Sequence, residues 1–429
     1  MECRMSTSLI QGAACLSVSC VLALCACSVE IKFKPSLEAS YKFAHGLETD
    51  QANQSYLQLK PKVVARWDRH WKAALAVRAE VAFDNTGLGS LDTFDGLSKP
   101  LELGGDGRIE IEEATLSWRR RSTRVTLGKQ TFAWGVLDGL QVTDRFDAVR
   151  RREAVFTDQR PERLSKWGAR AEFDFAGTRM DIAAAFDGTA DQLAVPGETF
   201  SVSASRFRAG LPATAPTPEL ITELSNDPTL GLRATRRFGE SDASLLVIHG
   251  PDTEPVFRPD EVGAALTYDP RTLLGATWQR SAGARVWRVE TAVVFDQPVN
   301  LKTQPLETDA RQRWLGGIGL DLDLRDGAFL NMQLGVDHVQ GDDLVRPNTD
   351  VISTVKLQKS FTNRTWLASA ELLSSLSEGD GTFRPALSWQ VDDRHRLQAG
   401  ADLVWGDRDG LFGQFQDINR VWFKTTWTL

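Results

Sequence analysis

Cysteine is missing from almost the whole chain. The 429 residues contain five cysteines, and all of them precede residue 28: Cys3, Cys15, Cys20, Cys25 and Cys27. The chain beyond this point can therefore form neither a disulfide nor a thiolate metal site.

Long apolar runs and the common enzyme motifs are also missing. After the run at residues 9–26, no segment offers the ~20 apolar residues that a membrane-spanning helix needs. The five histidines are scattered, none at metal-ligand spacing with another, and neither a G-x-S-x-G motif nor a phosphate-binding glycine loop occurs. We therefore predict no catalytic residues, no cofactor and no metal, and a protein that is not an enzyme.

A strong charge of one sign is missing as well. The net charge is −7, charged residues make up 25% of the chain, and the mean hydropathy is −0.26. This mild acidity argues against nucleic acid as a partner. A chain this hydrophilic can still form a membrane barrel, because only alternate residues of a barrel strand face lipid.

The apolar run near the start predicts a signal peptide over residues 1–28. Ala26-Cys27-Ser28 fits a small-residue cleavage site, and the remaining residues 29–429 are predicted to form a single barrel domain. An alternative is that Leu24-Cys25-Ala26-Cys27 acts as a lipobox, which would make Cys27 a lipid anchor.

Alternation of apolar and polar residues dominates the rest of the chain. In residues 29–43, VEIKFKPSLEASYKF, every even position is polar and the odd positions carry the apolar side chains. Such a strand has one apolar and one charged face, and its length exceeds the ~9–11 residues that a tilted strand needs to cross a bilayer. Similar segments recur at 57–67, 73–83, 167–175, 180–186, 287–295, 314–324, 330–336, 366–372, 383–391, 397–405 and 421–429.

The links between these segments alternate in length. Short links are predicted at 68–71, 119–122, 176–177, 238–241, 281–283, 325–327, 362–364 and 392–394. Long links are predicted at 85–107, 131–164, 187–228, 297–312, 340–350 and 406–417. Short periplasmic turns opposite long external loops are typical of outer-membrane barrels.

These patterns predict an all-β protein, a transmembrane antiparallel up-and-down β-barrel in the outer membrane of a Gram-negative bacterium. Both ends of such a chain face the periplasm, so the strand number is even, about 18, with 16 as the alternative. The uncertain segment is 262–268, which belongs either to a loop or to a strand of its own.

Aromatic residues and the chain end support a barrel. Seven tryptophans stand beside the short links, where a periplasmic aromatic girdle is expected: Trp67, Trp71, Trp118, Trp278, Trp287, Trp366 and Trp389. The last segment, 421–429, resembles the strand that barrel-assembly machinery recognises, and closure requires it to pair with the first strand. Pro35 and Pro61 each remove a backbone donor, which predicts a bulge or a weakened ladder at this seam.

Residues 125–149 resemble a family of large outer-membrane barrels of unassigned function. Its members carry a strand of roughly the form L-G-(K/R)-Q-x-x-x-W-G, followed by a stretch containing Asn or Asp with Arg nearby. Leu127-Gly128-Lys129-Gln130, Trp134-Gly135 and residues 142–149 (VTDRFDAV) match it, with Trp134 one place early. Residues 268–275 and 287–290 resemble two further positions of the family. The family is porin-like and often found beside inner-membrane exporters, so the resemblance implies a large barrel with a transport role.

The link that follows the first of these motifs is rich in arginine and carboxylates. Folded into the lumen, it would narrow the pore, and arginine would favour carboxylate or phosphate solutes through planar paired contacts. Phe132, Trp134 and Phe156 would add stacking surfaces; the alternative is a solvated external loop. The candidate constriction residues are Trp134, Asp144, Arg145, Asp147, Arg150, Arg151, Arg152, Arg160 and Arg163.

A second set of charges lies on the polar phase of the strands. Mixed signs on neighbouring strands predict ion pairs that brace the wall. The set comprises Lys60, Lys62, Arg66, Arg78, Glu80, Glu110, Glu112, Arg170, Glu172, Asp174, Arg288, Glu290, Asp321, Asp323, Glu371 and Asp402.

The sequence thus predicts an outer-membrane pore that passes small or amphipathic solutes by diffusion through a lumen narrowed by the arginine-rich loop. Its predicted partners are outer-membrane lipids, barrel-assembly machinery, small solutes and a periplasmic or inner-membrane exporter. One alternative is an export or assembly component that acts as a duct or scaffold. The other is a lipid-modifying enzyme with residues contributed by distant strands.

Overall fold

The structure is a computed structural model that describes residues 31–83, 87–153, 162–212, 220–261, 263–303, 306–362 and 365–429. The predicted signal peptide, residues 1–28, lies outside the described residues, as do residues 29–30 of the first predicted strand.

Eighteen antiparallel strands close into one barrel, as predicted. Their bounds are β1 Ile31–Gly46, β2 Gln54–Trp67, β3 Trp71–Phe83, β4 Gly107–Arg120, β5 Thr123–Gln130, β6 Lys166–Phe175, β7 Thr178–Ala185, β8 Thr229–Phe238, β9 Ser241–Pro251, β10 Pro270–Ala282, β11 Arg285–Asn300, β12 Thr308–Asp323, β13 Ala328–Val339, β14 Thr349–Phe361, β15 Trp366–Ser375, β16 Asp380–Gln390, β17 His395–Trp405 and β18 Arg420–Thr428.

Each strand pairs with its neighbours in the chain, and the last strand returns to the first. The β1–β18 pairing runs from Glu38 opposite Thr428 to Gly46 opposite Arg420, which confirms the predicted closure. Closure leaves no strand edge facing lipid, where unpaired N–H and C=O groups would be costly.

The links differ in length at the two ends of the barrel, as predicted. The ends of β2 and β3, for example, are joined by residues 68–70, whereas β5 and β6 are joined by residues 131–165. One predicted link, 297–312, is wrong in extent: β11 continues to Asn300 and β12 begins at Thr308, so only residues 301–307 join them. Residues 263–267 pair with 256–260 and 220–223 in a separate small sheet, so this segment belongs to a loop.

The outer face of the wall is a continuous band of exposed apolar side chains. In the segments whose alternation was predicted, they stand in the predicted phase: Phe33, Leu59, Val63, Leu75, Ile182, Val289, Ile318, Leu334, Leu387 and Phe423. Strands without a predicted phase contribute Ile111, Leu116, Leu127, Leu232, Leu245, Leu274 and Leu357. A surface of this kind is unfavourable in water and suits hydrocarbon. Near the short links, Trp67 stacks on Trp71 and Trp366 on Trp389, with ring centroids 6.4 and 5.3 Å apart.

The two prolines of the seam behave differently. Leu37 and Leu429 exchange backbone hydrogen bonds of 2.9 and 3.4 Å. Because every second residue of a strand directs its main-chain groups to the same neighbour, Pro35 also faces the β18 side. The chain of β18 ends before it reaches Pro35, so no hydrogen bond is lost there. The weakening predicted at Pro35 is therefore wrong. At Pro61 it is confirmed, because the pairing of β2 with β3 skips Lys60 and Pro61 without a change of register.

Shorter elements lie in the long links. Among the described residues they are the strands Leu101–Leu103, Ala148–Arg151, Glu162–Leu164, Gln192–Leu193, Leu220–Glu223, Val256–Asp260 and Gly263–Thr267, and the 3₁₀ helices Asp50–Ala52, Gly96–Ser98, Ser205–Phe207 and Gly413–Ile418; a fifth 3₁₀ turn, Arg325–Gly327, joins β12 to β13. In the part of the chain that the structure describes, no helix is long and apolar enough to span a bilayer.

One side of the barrel is filled by an apolar core rather than by polar side chains. Inward-facing residues of β7 and β9–β12 contact four residues of the link 131–165, Phe132, Trp134, Val142 and Phe146; the wall residues are Ala183, Ala185, Leu246, Ile248, Leu273, Ala292, Val294 and Leu315. The hydrophobic effect, which drives the folding of soluble proteins, thus holds the link 131–165 against the inner wall.

Candidate functional site

The link 131–165, called the inner loop below, lies inside the barrel. Phe132, Trp134 and Phe146 are essentially inaccessible, and the rings of Phe132 and Phe146 are centred 4.6 Å apart. Phe132 and Trp134, predicted to offer stacking surfaces to a solute, are therefore core residues in this structure. Phe156, the third predicted ring, lies outside the described residues.

A glycine of the wall makes room for this aromatic cluster. A Cβ atom on Gly231 of β8 would overlap the indole of Trp134 and would lie 2.9 Å from Cε2 of Phe146. The indole N–H donates to Asp181 on β7 at 3.1 Å, and the Arg233 guanidinium lies 5.5 Å from the ring centroid. Shape, hydrogen bonding and charge thus fix Trp134 at one position on the wall.

Two predicted carboxylates hold the backbone of the loop at this point. Asp147 accepts the Phe132 N–H at 2.6 Å, and Asp144 accepts the Trp134 N–H at 3.1 Å. Asp144 also pairs with Arg163 across the loop. Burial raises the pKa of Asp147, and the nearby charge of Asp144 raises it further, although the Phe132 N–H opposes the shift.

The arginine run binds the loop to the opposite wall. Arg150 donates to Glu110 on β4 at 2.6 Å, and Arg152 makes a two-bond contact with Glu80 on β3. Arg151 donates to Asp191 of the link 186–228 at 2.7 Å. These three consecutive side chains therefore serve as anchors of the loop, and Arg150 alone of them borders the open lumen described below.

The next residue, Glu153, reaches the seam of the barrel. Its carboxylate accepts hydrogen bonds from Lys42 on β1 at 2.5 Å, Tyr56 on β2 at 3.0 Å and Arg420 on β18 at 3.4 Å. Burial alone would raise the pKa of Glu153, but Lys42, Arg420 and Arg152 together hold it well below its usual range. One loop carboxylate thus ties together the three strands at the point of closure.

The remaining predicted residues are spread out. Arg145 pairs with Glu254 of the link 252–269 at 3.3 Å, and Arg160 lies outside the described residues. The wall ion pairs expected from strand alternation are present in part, such as Arg78–Glu112, Arg170–Asp181 and Arg288–Asp321 at 2.5–2.6 Å. Others, such as Glu80 and Glu110, pair with the inner loop instead.

A cavity of about 1040 Å³ lies on the other side of the barrel, between the inner loop and the short-link end. It is lined by polar-phase residues of β1–β6, and its inner end is formed by Thr131, Arg150, Glu162 and Arg163 of the loop. Turn residues Asp68, Arg69 and His70 border its outer end, so we call it the periplasmic vestibule.

The charges of the vestibule are unequally neutralised. Of its carboxylates, Glu110, Glu112, Glu113, Glu162 and Glu172 make ion pairs, whereas Glu38 and Asp68 make none within the described residues. Four cations toward the mouth also make no ion pair in this part of the chain, against those two carboxylates: Arg66, Arg69, Lys72 and Arg119. The mouth therefore carries surplus positive charge, which attracts anions.

No group of three or more His, Cys, Asp or Glu side chains placed to hold a metal ion occurs among the described residues. One contact of the loop with the wall could not be foreseen from the sequence. The sequence placed Glu290 of β11 among the bracing charges, whereas the structure surrounds this carboxylate with backbone donors of the loop. The only available signal was its membership of the segment 287–290 that resembles the barrel family.

Comparison with known proteins finds the same kind of fold in solved structures. No protein-family model and no curated protein matches the chain. Among solved structures, a BenF-like porin from Pseudomonas fluorescens Pf-5 matches 93% of this chain and 98% of its own with a TM-score of 0.54 at 9% identity. OccAB4 of Acinetobacter baumannii matches over the same shares with 0.55 at 9%. OpdK of Pseudomonas aeruginosa, in its structure with vanillate, matches 92% and 98% with 0.51 at 11%.

At such low identity the likeness establishes the fold. The chain has the fold of the large outer-membrane β-barrels to which these structures belong, and its apolar outer band agrees with the predicted location in an outer membrane.

Replacing Glu153 by Gln should destabilise the barrel at neutral pH. Removing the charge leaves Lys42 and Arg420 incompletely paired in a buried site, which costs about 3 kcal/mol of unfolding free energy. Because the folded-state pKa is depressed, the stabilisation by Glu153 is complete above the unfolded value of 4.5 and is lost as the pH falls below it.

The measurement is urea unfolding in detergent, followed by tryptophan fluorescence at pH 7 and pH 3. The difference between wild type and variant should be largest at pH 7 and smaller at pH 3. The control is Glu240→Gln, which removes a carboxylate from an exposed ion pair with Arg280 at 3.9 Å. It should leave the free energy of unfolding unchanged at both pH 7 and pH 3. An equal cost for both variants at pH 7 would contradict the role given to Glu153.

Proposed function

We propose that the protein is a diffusion pore for small organic anions, narrowed by the inner loop. The single observation behind this proposal is the periplasmic vestibule, which ends at the arginine-rich loop and carries surplus positive charge at its mouth. Fixed charges beside a narrow aqueous passage favour ions of opposite sign. The OpdK structure is one with vanillate, a small aromatic carboxylate, which is the kind of solute we propose here.

The loop would narrow the passage because it occupies part of the lumen, and its charged side chains would select among solutes. Its apolar side occupies the lumen beside β7–β12, which leaves the polar side beside β1–β6 for solute. Arg150 and Arg163 stand at the inner end of the vestibule, where Arg150 pairs with Glu110 and Glu162 and, among the described residues, Arg163 pairs with Asp144 alone. A solute carboxylate or phosphate would be guided by the mouth and exchange hydrogen bonds at these guanidinium groups.

Deleting residues 144–162 should raise the single-channel conductance of the purified protein in a planar bilayer. The deletion removes the anchors Arg150, Arg152 and Glu153, so the loop can no longer cross the lumen. The matched control is Arg408→Gln, which breaks an exposed ion pair with Asp417 in the link 406–419. An unchanged or lower conductance in the deletion variant would rule out the constriction.

The mouth residues should set ion selectivity. In a salt gradient the wild-type reversal potential should indicate preference for chloride over potassium, and Arg66→Gln/Lys72→Gln/Arg119→Gln should reduce that preference with little change in conductance. The three changes remove charge without removing a described ion pair, so the fold should persist. Equal selectivity in wild type and triple variant would refute the proposed role of the mouth.

The same recordings separate the rival functions. A protein that carries no current in intact form fits an export or assembly component, in which the barrel serves as duct or scaffold for a periplasmic or inner-membrane exporter. A lipid-modifying enzyme would instead release fatty acid or headgroup from bilayer lipids. Recognition of the last strand by barrel-assembly machinery is expected under each of these functions, so it does not distinguish between them.

A further inference from the structure

The inner loop wraps around one carboxylate of the wall. Oε1 of Glu290 accepts the backbone N–H groups of Val136 and Leu137, the latter at 2.7 Å. Oε2 accepts both the N–H and the hydroxyl of Thr143, at 2.9 and 2.6 Å. Four donors from two ends of one short turn of chain, residues 136–143, thus converge on the two oxygens.

The charge of this carboxylate is balanced by the loop alone. Glu290 is 1% exposed, and no described lysine or arginine forms an ion pair with it. A buried carboxylate without such partners would be strongly unfavourable. The N–H groups and hydroxyl of residues 136–143 therefore replace both its hydration and its counter-ion, as backbone cradles do for bound anions.

Two glycines permit the close approach. A Cβ atom on Gly135 would lie 2.7 Å from Cβ of Asp144 and 3.2 Å from Oε1 of Glu290. A Cβ atom on Gly275 of β10 would lie 2.9 Å from Cγ2 of Thr143. The three segments singled out in the sequence, 125–149, 268–275 and 287–290, thus meet at this carboxylate.

We propose that residues 136–143 form a carboxylate-binding cradle, that Glu290 occupies it as a built-in ligand, and that its occupancy holds the inner loop in the lumen. Glu290 is then the positioning residue of the constriction. The inference deepens the proposed pore, but the contact it describes exists whether or not the barrel conducts.

The cradle should accept a free carboxylate once Glu290 is removed. In the wild type the tethered carboxylate has an effective concentration far above that of a solute at tens of millimolar, so added acetate should not displace it. In Glu290→Ala the cradle is empty and acetate is small enough to enter. Added acetate should therefore act on the variant and not on the wild type.

The test uses protein reconstituted in bilayers and measures release of the loop in two ways. One is the rate at which trypsin cleaves the loop, and the other is the conductance of the same preparation. Glu290→Ala should be cleaved within the inner loop, after Arg150–Arg152 and Arg163, about tenfold faster than wild type. It should also show higher conductance. Acetate at tens of millimolar should restore both values, whereas chloride at equal ionic strength should restore neither.

Two further variants complete the experiment. Glu371→Ala removes a lumen-facing carboxylate of β15 whose described ion pair, with Arg384, is 4.0 Å long, and it should behave as wild type. Glu290→Gln keeps the cradle filled by an amide, so it should give intermediate cleavage that acetate does not change. If Glu290→Ala yields no folded barrel, cleavage of Glu290→Gln decides: a rate equal to wild type overturns the proposal.

The outcomes separate the cradle from the pore. The cradle is overturned if trypsin cleaves Glu290→Ala at the wild-type rate. It is also overturned if Glu290→Ala is cleaved faster but acetate does not slow the cleavage. Absence of current from every variant, together with acetate-dependent protection from trypsin, refutes the pore and leaves the cradle intact.

Discussion

The need to pair buried charges inside the barrel organises the whole molecule. The wall presents Glu80, Glu110 and Glu290 to the lumen, and each finds its partners on the inner loop rather than on a neighbouring strand. The loop in turn brings Glu153 to Lys42 and Arg420 at the seam. Because an unpaired buried charge is costly, wall and loop stabilise each other, and neither has its present form without the other.

This dependence divides the lumen into two parts. Beside β7–β12 a group of small or apolar inward residues forms a surface on which aromatic side chains of the loop pack. Beside β1–β6 the inward positions are charged, and the vestibule remains open. The proposed passage for solute runs on the charged side, where unpaired arginine and lysine outnumber the unpaired carboxylates among the described residues.

The barrel itself could be predicted from the sequence, because strand alternation and link length depend on neighbouring residues only. The first strand, its outward phase and its closure on residues 421–429 follow from period-two patterning and from the ban on open edges in lipid. The extent of β11 was missed because Asp296 and Pro298 interrupt its pattern. The role of Pro35 was missed because it depends on where the partner strand ends, which the local sequence does not show.

The site was predictable only in outline. Charge composition singled out the arginine-rich loop, but composition cannot tell which charges face solute and which serve as anchors. Trp134 was expected at the lumen surface, and its burial depends on Gly231, a residue about a hundred positions away whose importance is steric. Glu290 was grouped with ordinary wall charges, because three of the four donors that surround it are backbone groups, which carry no sequence signal.

Cross-linking of the loop to the wall in intact outer membranes tests the central claim, that the loop is held inside the barrel. A Cβ atom on Gly335 of β13 would lie 3.0 Å from Cδ1 of Leu140 of the loop, and the predicted mature chain, from residue 29 onward, has no cysteine of its own. Leu140→Cys/Gly335→Cys should therefore be joined by a short bifunctional thiol reagent, because the two side-chain positions are in contact. Leu140→Cys/Ala74→Cys, with the second thiol on β3, should not. Equal yields for the two pairs, or no cross-link in either, would contradict a loop held in the lumen.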